Sequence, residues 1–155
     1  MESHNFERLQ AHILSLSVSD NFEVARKEWN LHSIEISEEM DNCPCGQEIK
    51  EHCYIENKRN GNTTYVGNVC INRFMEISTG TLFDGLKRIK KNIFANANKA
   101  LIEYADQKGY LYDRDYGFLI DTMNQRKLSD KQKAWKERIN TRILKEVVVK
   151  NRTNR

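Results

Sequence analysis

Residues 42–75 read NCPCGQEIKEHCYIENKRNGNTTYVGNVCINRFM, and the expected fold turns on this stretch. Asn42-Cys43-Pro44-Cys45-Gly46 is a tight turn carrying two thiols. Ile49–Glu56 has strand composition, and Asn57–Asn62, with Asn60-Gly61 inside it, is a hairpin turn. Thr63–Val66 is the return strand. Gly67-Asn68 punctuates it, and a helix is expected from Val69 to Ile77. The chain has four cysteines, Cys43, Cys45, Cys53 and Cys70, and all of them lie here.

Four thiols clustered around one hairpin, in a chain that reads as intracellular, favour a metal over disulfides. A thiol-bearing turn, a hairpin and then a helix start form the order of a treble-clef-like zinc site. The turn aims two sulfurs at the ion and the first helical turn adds Cys70, where the positive helix end favours thiolate. Tetrahedral zinc needs a fourth ligand. Cys53 is the expected one and His52 the alternative, since neighbouring strand residues face opposite ways and both cannot easily serve. Four protein ligands would close the site, so the Zn2+ would be structural. Buried free thiols without a metal are the plain alternative.

Outward from this core, Phe6–Leu16 has helical spacing, with Asn5 as a possible cap. Ser19 or Asp20 is expected to cap a short second helix running to Trp29. Leu31–Ile36 reads as a strand and Glu38–Asn42 as an acidic loop. Beyond the cysteines every segment looks helical: Leu82–Asn96, Asn98–Gln107 stopped by Gly109, and a helix capped by Asp113 to about Gln125. Ser129 and Gln132 make a capping box for the last helix. Its stripe is Trp135, Ile139, Ile143, Leu144, Val147 and Val148. The expected fold is α+β, a single mostly helical domain over 1–155. It carries a small zinc-bound β-hairpin at 42–75, a helical part with a basic face at 82–150, and core anchors at Trp29 and Trp135.

The string Cys43-Pro-Cys-Gly46, Cys53-Tyr-Ile-Glu-Asn57 and Val66-Gly-Asn-Val-Cys70 with Phe74 resembles a family of small zinc-binding proteins from bacteriophages and mobile elements. Ala25 and Trp29 match an upstream Ala-x-x-x-Trp helix of that family. Arg126–Gln132 matches a downstream arginine-lysine-leucine-serine-x-lysine-glutamine segment. The likeness spans about residues 20 to 145. It implies a zinc-stabilised fold and a mobile-element origin, and little about activity.

The formal net charge of +3 hides a strong asymmetry. Residues 1–56 carry four Lys/Arg against twelve Asp/Glu, residues 57–125 ten against seven, and residues 126–155 eleven against three. No run approaches the roughly 18 apolar residues of a membrane span. Met1–Gln10 has no basic region followed by an apolar one, so secretion is not expected and a cytoplasmic location is, in the host cell if the chain is phage-encoded.

Nucleic acid, DNA foremost, is the expected partner, with no membrane. Lys87, Arg88, Lys90 and Lys91 crowd four cations into one and a half helical turns. Lys131, Arg138, Arg142 and Lys145 recur at spacings that align them along one side of the last helix, which also carries Lys133 and Lys136. Such faces neutralise phosphates. Tyr110, Tyr112 and Tyr116 could stack on unpaired bases, though packing in the core is their commoner use. The alternative is a protein-interaction module that modulates a host machine of transcription, replication or defence, its acidic front docking on a basic partner. A minor alternative is a hairpin-helix nuclease built on His52 with Asn68 and Asn72. No phosphate loop, Ser-His-Asp set or nucleophile elbow is visible.

Overall fold

The computed structural model describes residues 3–76 and 79–149. Its described residues form seven α-helices, one 3-10 turn and three antiparallel strands, an α+β protein. Where the sequence reading takes 1–155 together, the chain sorts into two compact units, Met1–Thr79 and Gly80–Arg155. The division also sorts the charge. Unit 1 carries seven Lys/Arg against 13 Asp/Glu, a balance of −6; unit 2 carries 18 against nine, a balance of +9.

Unit 1 begins with α1 (Ser3–Ser15), whose Leu9 and Ile13 are fully buried one turn apart. Helix α2 is only Phe22–Ala25, followed by a 3-10 turn over Arg26–Glu28. Its cap is Asn21, whose side chain accepts from the Val24 amide, in place of Ser19 or Asp20. The expected helix to Trp29 stops short because Glu28 is drawn inward. Its carboxylate accepts from the Val18 and Ser19 amides and from Asn57 Nδ2. Trp29 therefore opens a strand, buried as expected.

Strand β1 (Trp29–Asn42) is longer than the expected Leu31–Ile36 and takes in the acidic segment read as a loop. It pairs with β2 (Glu48–Asn57) in register from Trp29↔Asn57 to Ile36↔Glu51, with a break at His32, and resumes at Asp41↔Ile49. Residues 37–40 form the irregularity between, tied down by the Ser37 hydroxyl, which donates to Glu39 O at 2.6 Å. Strand β3 (Thr63–Gly67) pairs with the other edge of β2, placing Cys53 opposite Val66 and Tyr54 opposite Tyr65. The hairpin turn is organised by Asn57, whose Oδ1 accepts from the Arg59 and Asn60 amides, with Gly61 at φ +79°. Helix α3 (Asn68–Met75) follows at once. Arg26 donates to its last carbonyls, Phe74 O at 2.6 Å and Arg73 O at 3.1 Å. The expected end of this helix at Ile77 lies outside the described residues.

Unit 2 is all-helical: α4 (Gly80–Lys91), α5 (Lys99–Lys108), α6 (Asp113–Thr122) and α7 (Asp130–Lys145). The helix expected over Leu82–Asn96 ends at Lys91, where Asn92 turns the chain by accepting the Phe94 amide on its side chain. Asn98 caps α5, and Gly109 ends it at φ +83°. Helix α6 has Tyr112, not Asp113, at its cap position, with Asp115 Oδ2 accepting the Tyr112 amide. The Ser129–Gln132 capping box opens α7 as expected. Ile139 and Ile143 of its stripe are buried, but so are Lys136 and Asn140, while Val147 and Val148 are exposed. Residue 150, the expected end of the helical part, lies outside the described residues.

Candidate metal centre and basic helical surface

The turn between β1 and β2 is built for close sulfurs. The Gly46 amide donates to Cys43 O and the Cys43 amide to Gln47 O, both at 2.8 Å, and Gly46 adopts φ +102°. This tight loop directs Cys43 and Cys45 to the same side as Cys70, which sits in the first turn of α3. The three sulfurs lie within 4.8 Å of one another and all three residues are buried. Around a tetrahedral ion with about 2.3 Å bonds, sulfurs stand about 3.8 Å apart. The Cys43–Cys70 separation is 3.5 Å. Three buried thiols are thus close enough to bind a metal ion.

Amide donors surround the same point. The Gly67 amide, at the start of α3, donates to Cys43 Sγ at 3.4 Å. The hydrogen bond shared with Cys70 holds the Cys43 thiol down at about 6, with the Cys45 and Gly67 amides adding to it against the effect of burial. The same bond raises the Cys70 thiol. Thiolate character therefore falls on Cys43, where two backbone amides converge, rather than on Cys70 as the helix end alone suggests. A cavity of about 290 Å³ lined by Glu48, Glu51, Asn68 and Cys70 lies alongside.

Cys53 is placed outside this group of three. Its residue is fully buried and its sulfur lies 3.8 Å from Thr79 Oγ1. Burial pushes its thiol up to about 12. Alternation along β2 explains the placement: Cys53 and Ile55 share the inner face, opposite Val66, like any core side chains.

His52 takes the other face. It is buried beside Tyr54 and Tyr65, with ring nitrogens 3.1 Å from Lys50 O and 3.3 Å from Asp41 Oδ2. Asn68 Nδ2 instead donates to Glu51 Oε2, and Glu51 alternates with His52 on β2. The set of His52 and Asn68 is therefore split between the two faces of the sheet.

In unit 2, Lys87, Arg88, Lys90 and Lys91 are all exposed on α4. Lys131, Arg138 and Lys145 are exposed on α7. Arg142 departs from that row. Its guanidinium donates to Asp115 Oδ2 at 2.9 Å and to Tyr110 O at 2.6 Å. Lys136 is fully buried, its ammonium donating to Thr122 Oγ1 at 2.7 Å and lying 5.1 Å from the Phe118 ring centre. Desolvation brings its pKa down to about 8. Of the three tyrosines, Tyr110 is buried, Tyr116 bonds Glu103, and Tyr112 is 42% exposed.

Sequence reasoning missed Asp115, which is 1% exposed. Its Oδ1 accepts from Trp135 Nε1 at 2.8 Å, so one carboxylate organises Trp135, Arg142 and the start of α6. An acidic residue three places after a helix cap, followed by an Arg and a Trp on a later helix, was the available signal. No helix among the described residues is long and apolar enough to cross a membrane. Comparison with protein-family models, curated proteins and solved structures found no match for this chain.

Proposed function

We propose that this chain is a non-enzymatic, zinc-stabilised nucleic-acid-binding protein, in keeping with its resemblance to proteins of phages and mobile elements. The observation that carries the reading is the partition of charge, −6 in unit 1 and +9 in unit 2. Seven of the eight cations singled out on α4 and α7 are solvent-exposed. A surface of this kind binds phosphates by releasing counterions, with little dependence on sequence. Zinc suits the cysteine cluster because it is a borderline-soft ion and thiolates, here from a turn and a helix start, are soft donors that select it. Cys43, Cys45 and Cys70 would hold it, in a treble-clef-like arrangement. Bound there, zinc would supply folding energy to a small sheet, its fourth position falling to a ligand outside this group of three.

The test is fluorescence anisotropy with labelled single- and double-stranded DNA over a salt series. Binding at low salt should weaken along a linear log–log slope, by about 0.9 for each duplex phosphate contacted. Charge reversal at Lys87, Arg88, Lys90 and Lys91 should flatten that slope. Absence of binding at low salt, or a slope the reversal leaves intact, contradicts the reading.

A further inference from the structure

We infer that unit 2 carries a dedicated site for one nucleotide unit of a single strand, formed where α6 and α7 meet. The inference rests on the nucleic-acid reading above and narrows it to one place and one form of nucleic acid. A cavity of about 440 Å³ is lined by Tyr112, Arg114, Asp115, Trp135, Arg138 and Arg142. Three guanidinium groups thus face a space whose one carboxylate is already engaged. Asp115 accepts from Trp135 Nε1, the Tyr112 amide and Arg142 Nη2. That leaves Arg114 and Arg138, both exposed and neither paired with a carboxylate among the described residues.

Their setting is prearranged. The Arg114 and Arg142 guanidiniums lie 5.3 and 5.4 Å from the centre of the Tyr112 ring. Phe118 stacks on the Trp135 indole, ring centres 3.9 Å apart and planes 6° from parallel, while its Nε1–H is fixed by Asp115. The indole is therefore held in one orientation at the cavity wall. A rigid aromatic beside forked cationic donors matches a planar base joined to a phosphate. An acidic peptide would use the guanidiniums but leave the aromatic wall without a planar partner.

The experiment uses the full chain and a dodecamer of deoxythymidine, read by anisotropy and by tryptophan emission. Saturable quenching on binding is expected, because Trp135 lines the site whereas Trp29 is buried in unit 1. Arg114→Ala and Arg138→Ala should each weaken the dodecamer about tenfold, the loss expected for one charge-assisted contact. They should spare thermal stability, since both side chains are exposed. Thymidine monophosphate should bind far more weakly than the dodecamer. Binding by anisotropy with emission and both variants unchanged overturns this site and leaves the broader reading standing. No binding of any nucleic acid overturns both. Thymidine monophosphate binding as tightly as the dodecamer overturns the strand assignment. A polyglutamate peptide that displaces a bound dodecamer no better than added salt supports the site; one that quenches Trp135 where the dodecamer does not overturns it in favour of a protein ligand.

Discussion

Asp115 Oδ2 accepts from Arg142 Nη2 at 2.9 Å, and this contact draws a residue of the expected basic row inward to hold unit 2 together. The same carboxylate fixes the Trp135 indole and the first turn of α6. Asp115→Ala would strand a guanidinium, an indole N–H and a backbone N–H. Breaking a buried pair by removing one partner typically costs about 3 kcal/mol or more. Urea denaturation should show a loss of that order, whereas Arg138→Ala, on an exposed face of α7, should cost under about 0.5 kcal/mol.

Lys136 gives unit 2 a pH signature. Its folded pKa of about 8 lies below the unfolded value of 10.5, so between those values the unfolded chain binds more of the proton. Stability should therefore rise as pH increases through this window, by about 2 kcal/mol from pH 7 to 9.5. The measurement is the difference between wild type and Lys136→Met, which cancels the other titrating groups. A difference that does not change with pH would contradict the buried, charge-disfavouring site.

Gly85 lies on α4 where α5 approaches. A Cβ built there would stand 2.3 Å from Asn98 Oδ1, the atom that caps α5 by accepting the Leu101 amide. Alanine ordinarily gains about 1 kcal/mol over glycine inside a helix. Here Gly85→Ala should instead lower stability by about 1–2 kcal/mol, because the cap must move. Asn98→Ala should lower it by a similar amount, and the double variant by less than the sum. Chemical denaturation of the three variants tests this.

The parts of the fold that were legible are those specified within a few residues. The Ser129–Gln132 box, the Cys43–Gly46 turn, the Asn57–Asn62 hairpin and the Gly109 stop each carry their own hydrogen-bonding logic. What was not legible depends on partners distant in sequence. The acidic half of β1 has no clean alternation because residues 37–40 break the register with β2. Trp29 has helical spacing, and leaves the helix because Glu28 is satisfied by Val18, Ser19 and Asn57. Lys136 and Asn140 are polar residues buried on the apolar side of α7 by Thr122 and by the Ile93 and Ala95 carbonyls, which no hydrophobic pattern reveals. Three of the four expected ligands, Cys43, Cys45 and Cys70, do meet, since a tight turn and a helix start place them locally. Cys53 goes with the strand face.

The cysteine cluster separates two outcomes by position. Cys43→Ser, Cys45→Ser and Cys70→Ser each remove one of three close sulfurs and should abolish metal retention. Cys53→Ser, beside Thr79, should retain it. Equal loss in all four variants would instead put Cys53 in the ligand set.

The most direct measurement is zinc stoichiometry by mass spectrometry under native conditions, followed by denaturation with and without chelator. One zinc per chain is expected, with unfolding of the small sheet when the chelator removes it. A chain that is folded, metal-free and indifferent to chelator would contradict the metal centre of unit 1.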